Sequence, residues 1–289
     1  MIKLLDIRYV RLGTKDLAGA KCYAEHILGL RQSSSAGNSK HGQQLYFRSD
    51  ERDHTLVYFD GDPLDHTVGF ELKSHAELDS ALGELTILGI DAVAGTEAEC
   101  DLRRVSAMVR FVDPSGNRIE LVVGPHHCGQ RFFPTRDTGS TGFSHVGLRS
   151  RALKRDEEFW TKILGAKVSD RIGDAALLRI DEVHHKIALF PSAYPGVQHI
   201  NHQVNSIDDI MRSWYFLNRE GVKVVFGPGR HPTSGAMFLY FEGPDGMVYE
   251  FSSGVCSIPE LEDHLPRQFP FAPESFCMWG AKPNIPEFN

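Results

Sequence analysis

Hydrophobic and polar positions along the chain change period in a repeating order. Alternating stretches such as "IRYVRLG" and "FSHVGLR" predict strands. Segments such as "LDSALGELTILG", in which apolar residues recur every three or four positions, predict helices of about three to four turns. Gly and Pro turns then divide further strands. The pattern predicts four strand–helix–strand units, at roughly 5–60, 65–124, 143–191 and 198–254.

The four units form two similar halves. The segment "VDPSGNRIELVVG" resembles "EGPDGMVYEFSSG" and places Glu120 opposite Glu250. The segment "IRYVRLGTKDLAGAKCYAEHILGL" resembles "FSHVGLRSRALKRDEEFWTKILGA" and places Tyr9 opposite His145. A chain of 289 residues has room for two domains of similar size, so the repeat predicts a tandem duplication.

We therefore expect an α+β protein with two tandem domains and a tail. The N-terminal domain is predicted to span 1–130 and the C-terminal domain 140–255, each built from two units. The connecting segment "PHHCGQRFFPTRDTGSTG" is polar and rich in turn residues. The segment 256–289 is rich in Pro and Phe, and we expect it to pack on the domains as a tail.

Composition and charge exclude several classes of protein. The sequence is 41% hydrophobic and 24% charged and has no apolar run long enough to cross a bilayer. A net charge of −7 without a basic run argues against a nucleic-acid partner. Five scattered cysteines without a CxxC pair argue against a disulfide framework. The N-terminus lacks the features of a secretory signal, so we expect a cytoplasmic protein.

The second half carries three metal-capable side chains at matching places on predicted strands. They are His145 in "FSHVGLR", His199 in "QHINHQV" and Glu250 in "MVYEFSSG". Two imidazoles and one carboxylate form the facial triad typical of non-haem Fe(II) sites, in which the remaining coordination positions are open. These three residues are the candidate metal ligands.

Strand alternation leaves two candidates in "QHINHQV", because His199 and His202 lie on opposite faces of the strand and both faces are possible. His199 is favoured by its position at the opening of the strand. In the first half, Tyr9 and Thr67 take the places of the two histidines, and Glu120 remains alone. One carboxylate cannot hold the ion, so the first half is predicted to be metal-free, with Glu120 as a strand-end carboxylate.

Three further polar residues complete the candidate site: His185 in "VHHKIALF", His231 in "GPGRHPTSG" and Tyr240 in "AMFLYFEGPDG". Tyr240 and Glu250 lie on successive predicted strands joined by a "GPDG" turn, so the phenol is placed to lie beside the metal. His184, the neighbour of His185, is interpreted as a packing or surface residue.

These residues resemble the type I extradiol ring-cleavage dioxygenases of the vicinal oxygen chelate superfamily, the family of catechol 2,3-dioxygenase and 2,3-dihydroxybiphenyl 1,2-dioxygenase. The resemblance spans nearly the whole chain and depends on the order H…HH.IA…H…GRH…Y…DG…E. It implies that each half is a pair of βαβββ modules wrapped into an open barrel. It also implies that only the second barrel holds iron.

The resemblance assigns a role to each candidate residue. It implies that His145, His199 and Glu250 bind Fe(II), or Mn(II), which prefers similar ligands. His185 becomes the acid–base residue, and His231 and Tyr240 bind the oxygens of the substrate. The implied reaction is the cleavage of a catechol by O₂ to a 2-hydroxymuconic semialdehyde-type product, as in aromatic compound degradation. We also expect a homo-oligomer, because modules with exposed strand edges often associate.

Two alternatives remain open from the sequence. One is a metal-dependent isomerase or transferase of the same superfamily, such as a glyoxalase-like enzyme, and the other is a non-enzymatic binding module of the same fold. The substrate also stays open, because biphenyl-type members carry an acidic residue shortly after the equivalent of His231, where this chain has "HPTSGA". Both one-ring and two-ring catechols are therefore candidates.

Overall fold

Two β-sheets, one of eight strands and one of nine, organise the chain. The structure is a computed structural model that describes residues 1–33, 43–259 and 264–288. Parts of the first predicted unit and of the tail, at 34–42, 260–263 and 289, lie outside these described residues. None of the helices found in the described residues has the length and apolarity needed to cross a bilayer.

The N-terminal sheet contains β1 to β8 and is formed by two modules. The first module consists of β1 (Asp6–Thr14), α1 (Leu17–Cys22) with a π-helical turn (Tyr23–Ile27), β2 (Arg31–Gln32), β3 (Gln44–Arg48) and β4 (Leu56–Asp60). The second module consists of β5 (His66–Glu71), α2 (His75–Ile87), β6 (Val93–Ala94), α3 (Glu97–Arg103), β7 (Ala107–Val112) and β8 (Arg118–Val123). The short helix α3 is an addition to the predicted βαβββ pattern.

The C-terminal sheet repeats this arrangement and adds one strand from the tail. Its first module consists of β9 (Ser140–Ser150), α4 (Leu153–Lys162), β10 (Lys167–Ile172), β11 (Ala175–Arg179) and β12 (Ile187–Pro191). Its second module consists of β13 (Val197–Val204), α5 (Ile207–Arg219), β14 (Val224–Arg230), β15 (Met237–Glu242), a 3-10 turn (Pro244–Gly246) and β16 (Val248–Ser253). The tail contributes β17 (Arg267–Phe269), α6 (Pro273–Phe276) and a 3-10 turn (Pro286–Phe288).

The strand order is the same in both halves. The N-terminal order is β2-β3-β4-β1-β5-β8-β7-β6. The C-terminal order, read from the corresponding edge, is β10-β11-β12-β9-β13-β16-β15-β14, with β17 of the tail added beside β10. In every module the first strand pairs in parallel with the last, and the two first strands of each half pair antiparallel at the centre of the sheet. The prediction of an α+β fold with two βαβββ modules per half is confirmed, and the domain boundaries stay a prediction.

Matching helix signals in the two halves show why the modules fold alike. The hydroxyls of Ser74 and Ser206 accept hydrogen bonds from backbone N–H groups in the first turns of α2 and α5. Gly89 and Gly221 follow these helices with φ of 74° and 70°, a left-handed conformation that favours glycine. Each helix is therefore started and ended by the same chemistry.

The two halves share one hydrophobic core. A single cluster of buried side chains includes residues of both sheets, and Phe70 meets Trp160 across it with ring centroids 5.4 Å apart. A second cluster brings Phe276 and Phe288 of the tail against Phe226 of the C-terminal sheet. The tail thus closes one side of the C-terminal half, where its strand β17 extends the sheet beside β10.

Candidate metal centre

The three candidate ligands lie on the three adjacent strands at the centre of the C-terminal sheet. His145 is on β9, His199 on β13 and Glu250 on β16, and all three side chains are buried. Gly147 pairs with His199 across β9 and β13. A Cβ atom at position 147 would lie 2.4 Å from Nδ1 of His199, so a glycine is needed to make room for the imidazole.

The ligand atoms of these residues converge. Nε2 of His145 lies 3.0 Å from Nε2 of His199 and 3.0 Å from Oε2 of Glu250. The third distance, from Nε2 of His199 to Oε2 of Glu250, is 3.5 Å. The three ligand atoms, one from each residue, all lie within 4.8 Å of one another.

This arrangement suits a divalent cation. Two ligands placed at right angles, each about 2.1 Å from an ion, lie about 3 Å apart, as these atoms do. Both carboxylate oxygens of Glu250 are buried without a hydrogen-bond partner among the described residues. A buried carboxylate without donors is costly unless a cation compensates it, and an N₂O donor set on one side is that of a facial triad.

Electrostatics hold His199 and Glu250 in the ionisation states that metal binding requires. Burial and the neighbouring His145 lower the pKa of His199 to about 3, so its ring is neutral at physiological pH. Burial opposes ionisation of Glu250, but the neighbouring His145 and His231 hold its pKa well below the ordinary value. Nδ1 of His199 contacts Oε1 of Gln198, an acceptor, which places the proton on Nδ1 and leaves the Nε2 lone pair facing the other ligand atoms.

The geometry distinguishes His199 from His202. The ring of His202 lies on the other face of β13, with its centroid 6.0 Å from that of Phe143. It is buried, and neither of its ring nitrogens has a hydrogen-bond partner among the described residues. His202 therefore lies outside the group formed with His145 and Glu250.

His185 lies beside this group at the end of a chain of hydrogen bonds. Its ring centroid is 4.3 Å from that of His145. Its Nδ1 meets Nδ1 of His184 at 3.0 Å, and Nε2 of His184 lies 2.8 Å from Oδ2 of Asp170. Because the carboxylate accepts, His184 carries its proton on Nε2 and accepts one from His185, so the Nε2 lone pair of His185 stays available.

The interpretation of His184 as a packing or surface residue is therefore incomplete. It is buried, but it links His185 to Asp170, whose carboxylate is also bound by Arg267 through two hydrogen bonds of 3.0 and 2.6 Å. These partners hold the pKa of Asp170 at about 2 although burial opposes its ionisation. In the sequence, the "HH" dipeptide indicated the contact between His184 and His185. No sequence feature indicated that Asp170 and Arg267 take part in it.

His231 and Tyr240 lie on the other side of Glu250. Nε2 of His231 is 3.6 Å from Oε1 of Glu250 and 3.2 Å from the hydroxyl of Tyr240. Nδ1 of His231 donates to the backbone carbonyl of Phe276 at 2.8 Å, so Nε2 accepts the proton of Tyr240. The tail, through Phe276, thus fixes the orientation of His231.

The structure brings together all six residues selected from the sequence. Burial and the nearby Glu250 raise the pKa of Tyr240 well above the ordinary value, which keeps its hydroxyl protonated. Burial and His145 lower the pKa of His185 well below the ordinary value, which keeps its ring neutral. The group therefore combines a neutral base and a protonated phenol beside a set of metal-capable atoms.

The N-terminal sheet uses the equivalent positions differently. Tyr9 donates a hydrogen bond of 2.7 Å to Oε2 of Glu120, and Arg103 binds the same carboxylate through contacts of 2.7 to 3.3 Å. The interpretation of Glu120 as a strand-end carboxylate is wrong, because it lies within β8 and is 2% exposed. The guanidinium of Arg103 and the phenol of Tyr9 thus supply the hydrogen bonds of Glu120, for which the sequence indicated no partner.

The site and the fold agree with the known proteins that the chain resembles. Residues 142–251 match the model of the Glyoxalase/Bleomycin resistance protein/Dioxygenase superfamily. More particularly, over 91–92% of its length the chain is similar to extradiol dioxygenases, which confirms the resemblance predicted from the sequence.

Two relatives illustrate this relationship. The chain is 25% identical over 288 residues to a biphenyl-2,3-diol 1,2-dioxygenase of Sphingomonas paucimobilis, covering 92% of this chain and 94% of the relative. It is 27% identical over 289 residues to an iron-dependent extradiol dioxygenase of Rhodococcus jostii (strain RHA1), covering 91% and 92%. Both likenesses extend over both halves.

Solved structures share the fold. A halotolerant catechol dioxygenase superposes with a TM-score of 0.87 at 23% identity, covering 100% of this chain and 98% of the other. A Mn(II)-bound glyoxalase from Novosphingobium aromaticivorans superposes with a TM-score of 0.85 at 24% identity, covering 100% and 94%. The fold therefore occurs with two reactions, so the reaction of this chain must be argued from its site.

Proposed function

We propose that this protein is an extradiol dioxygenase that cleaves a catechol-type aromatic diol with O₂, using a bound Fe(II). The observation that carries the proposal is the convergence of His145, His199 and Glu250 with three further polar residues around one buried point. A glyoxalase-like isomerase would use metal ligands but would not need His185 and Tyr240 beside them. The named sequence relatives, over nearly the full chain, support the dioxygenase.

In this proposal His145, His199 and Glu250 hold the ion from one side. Their ligand atoms come from neighbouring strands at the centre of a sheet, which fixes their positions before the ion binds. When bound, Fe(II) supplies a template for the diol and O₂ and a path for electrons between them. Mn(II) accepts the same ligands, so the choice of Fe(II) belongs to the proposal.

His185 is the proposed base. Its neutral ring has a hydrogen-bonded Nδ1 and an available Nε2, which suits the removal of a proton from a diol hydroxyl and its later return to an oxygen. The contact to His184 and Asp170 keeps the correct nitrogen basic, as the third residue of a catalytic triad does for its histidine.

Tyr240 is the proposed hydrogen-bond donor. Its raised pKa keeps the phenol protonated, and it lies directly opposite Glu250 in the β15–β16 register. By rotation about its C–O bond, the hydroxyl of Tyr240 can turn its proton away from Nε2 of His231. It then donates a hydrogen bond to a substrate oxygen on which negative charge develops. His231 orients the phenol, since its Nε2 accepts that proton in the structure.

Aromatic side chains line this side of the sheet and suit a flat substrate. Phe190 lies with its ring centroid 6.2 Å from that of His199, and Phe288 of the tail lies 4.6 Å from Phe190 and 6.0 Å from Tyr240. An aromatic ring packs favourably against such neighbours. These buried rings beside the site support a catechol-type diol and leave the number of its rings open.

The experiment is oxygen-electrode screening of the protein, purified anaerobically and loaded with Fe(II), against one-ring and two-ring catechols. We expect stoichiometric O₂ consumption and a visible absorbance from the ring-opened product with at least one of them. Absence of oxygen uptake with every catechol, in protein that holds iron, would favour the isomerase. Absence of bound iron or manganese would favour the non-enzymatic binding module. The cytoplasmic location, the homo-oligomer and the absence of a nucleic-acid partner stay predictions.

A further inference from the structure

The N-terminal sheet contains a cavity of about 490 Å³ at the positions that correspond to the metal centre of the other half. Arg11 and Glu120 line its inner end, and Phe59, Phe111 and Val93 form apolar walls. This volume lies in the range of about 300–1,000 Å³ that is typical of small-molecule pockets. The cavity is therefore large enough for a single-ring ligand.

Arg11 occupies its place because two paired positions differ between the halves of the repeat. It pairs with Thr67 across β1 and β5, whereas the same pair in the C-terminal sheet is Gly147 and His199. The small Thr67 leaves space that the long side chain of Arg11 enters. Only 5% of Arg11 is exposed, so its charge lies at the inner end of the cavity and not at the surface.

The guanidinium of Arg11 is held without a counter-charge of its own. Its Nη1 donates to Oε1 of Gln44 at 3.1 Å, and its Cζ lies 5.3 Å from the ring centroid of Phe59. In the described part of the chain, no ion pair within 4 Å joins Arg11 to a carboxylate. A buried guanidinium bound by a neutral amide and a ring can still form two parallel hydrogen bonds to an anion.

The remaining charges at the inner end do not neutralise Arg11. Arg103 already engages Glu120 through its Nε and one of its terminal nitrogens, Nη2. Tyr9 stays neutral, because burial and Glu120 raise its pKa well above the ordinary value. Two guanidinium groups thus share one carboxylate in a buried space, which leaves one positive charge uncompensated.

Four of the five charged residues at the mouth form two ion pairs, and the fifth, Asp91, is exposed, so that water screens its charge. Arg110 lies 3.3 Å from Glu99, and Arg118 forms an ion pair with Asp65. Both arginine side chains are about half exposed, so water screens them. The mouth therefore adds little to the binding of an anion compared with Arg11.

We propose that this cavity is a second ligand site, which binds a small carboxylate with a flat apolar body. The carboxylate meets the guanidinium of Arg11 at the inner end, and the body lies against Phe59, Phe111 and Val93. A buried cation selects the negative charge, and the apolar walls select the ring over a bare inorganic anion. The site is independent of the metal centre and of the proposed dioxygenase activity.

Calorimetric titration of the full-length protein with benzoate tests the proposal. Acetate serves as a probe with the charge but no ring, and benzamide as a probe with the ring but no charge. We expect benzoate to bind at one site and at least tenfold more tightly than either control. The variant Arg11→Met, which keeps the length of the side chain but removes the charge, is expected to weaken benzoate binding at least tenfold.

Arg118→Met is the matched control, because it removes an arginine that is already paired at the mouth of the same cavity. It is expected to change the affinity for benzoate less than threefold. If Arg11→Met does not fold, Val93→Trp tests the same site from its mouth, where Val93 is 39% exposed, and is expected to weaken binding by obstruction. No benzoate binding, equal binding of benzamide, or unchanged binding in Arg11→Met or Val93→Trp would overturn the proposal. Unchanged binding in Arg11→Met or Val93→Trp would mean that benzoate binds elsewhere, for example at the metal centre.

Discussion

The hydroxyl of Tyr9 donates a 2.7 Å hydrogen bond to Oε2 of Glu120, at the position where Nε2 of His145 approaches Oε2 of Glu250 to 3.0 Å. A duplicated frame thus contains a buried glutamate twice, and the two halves satisfy it in different ways. In the N-terminal half, Tyr9 and Arg103 supply the proton and the positive charge. In the C-terminal half, both oxygens of Glu250 lack a hydrogen-bond partner among the described residues, and a metal ion is the partner that fits.

The first prediction concerns the stability of the N-terminal half. Arg103→Met removes the cation that compensates Glu120, whose side chain is 3% exposed, and we expect it to lower the free energy of unfolding by about 3–5 kcal/mol. The double variant with Glu120→Gln is expected to recover a large part of this loss, since the buried charge is then gone. Urea denaturation measures both. Arg110→Met, which breaks an exposed pair, is the control, with an expected loss of at most about 1 kcal/mol. A loss below that of the control in Arg103→Met would contradict the assigned pairing.

The second prediction concerns metal retention. His145→Ala and His199→Ala each remove one of three ligand atoms, and we expect either variant to lose the bound metal after dialysis. His202→Ala removes a buried imidazole from the same strand as His199 but from its other face, so it is expected to keep the metal. Elemental analysis of the dialysed proteins gives the metal content. Stoichiometric metal in His199→Ala would refute the ligand assignment.

The third prediction separates catalysis from metal binding at Tyr240. Tyr240→Phe keeps the aromatic ring and removes the hydroxyl, so we expect full metal content and a turnover number reduced about 100-fold. Tyr249→Phe is the matched control, because this buried tyrosine on β16 contacts Tyr58 and not the metal centre. Steady-state kinetics with the best catechol decides the outcome. Equal losses of activity in the two variants would show that Tyr240 acts only through packing.

The sequence predicted the parts of the site that depend on local spacing. The register of His145, His199 and Glu250 follows from the repeat and from strand alternation, and the structure keeps it. Alternation alone could not choose between His199 and His202, because it leaves open which face of the strand is used. It also could not predict that Arg267 contacts Asp170, because 97 residues separate them and Arg267 lies in the tail, outside the repeat.

The fourth prediction follows from that long-range contact. Asp170→Asn removes the negative charge that fixes the tautomers of His184 and His185, so we expect kcat to fall about tenfold with little change in KM or metal content. A fall in kcat with unchanged KM and metal content distinguishes a positioning role from a merely structural one, which would not change kcat alone. Arg267→Met is the control, because it leaves the bond from His184 to Asp170 in place. A parallel change in KM, or loss of metal, would contradict the positioning role of Asp170.

The last prediction concerns pH and stability. Burial lowers the pKa of His202 to about 4, whereas an unfolded histidine has a pKa of about 6.5. Below pH 6.5 the unfolded state binds a proton that the folded state does not, so the folded state loses stability as pH falls, by about 1.4 kcal/mol per pH unit, until His202 itself titrates near pH 4. His202→Leu cannot take up this proton in either state. We therefore expect its free energy of unfolding, measured by urea denaturation from pH 7 to pH 4, to fall less steeply than that of the wild type. Parallel curves for the two proteins would show that burial does not lower the pKa of His202.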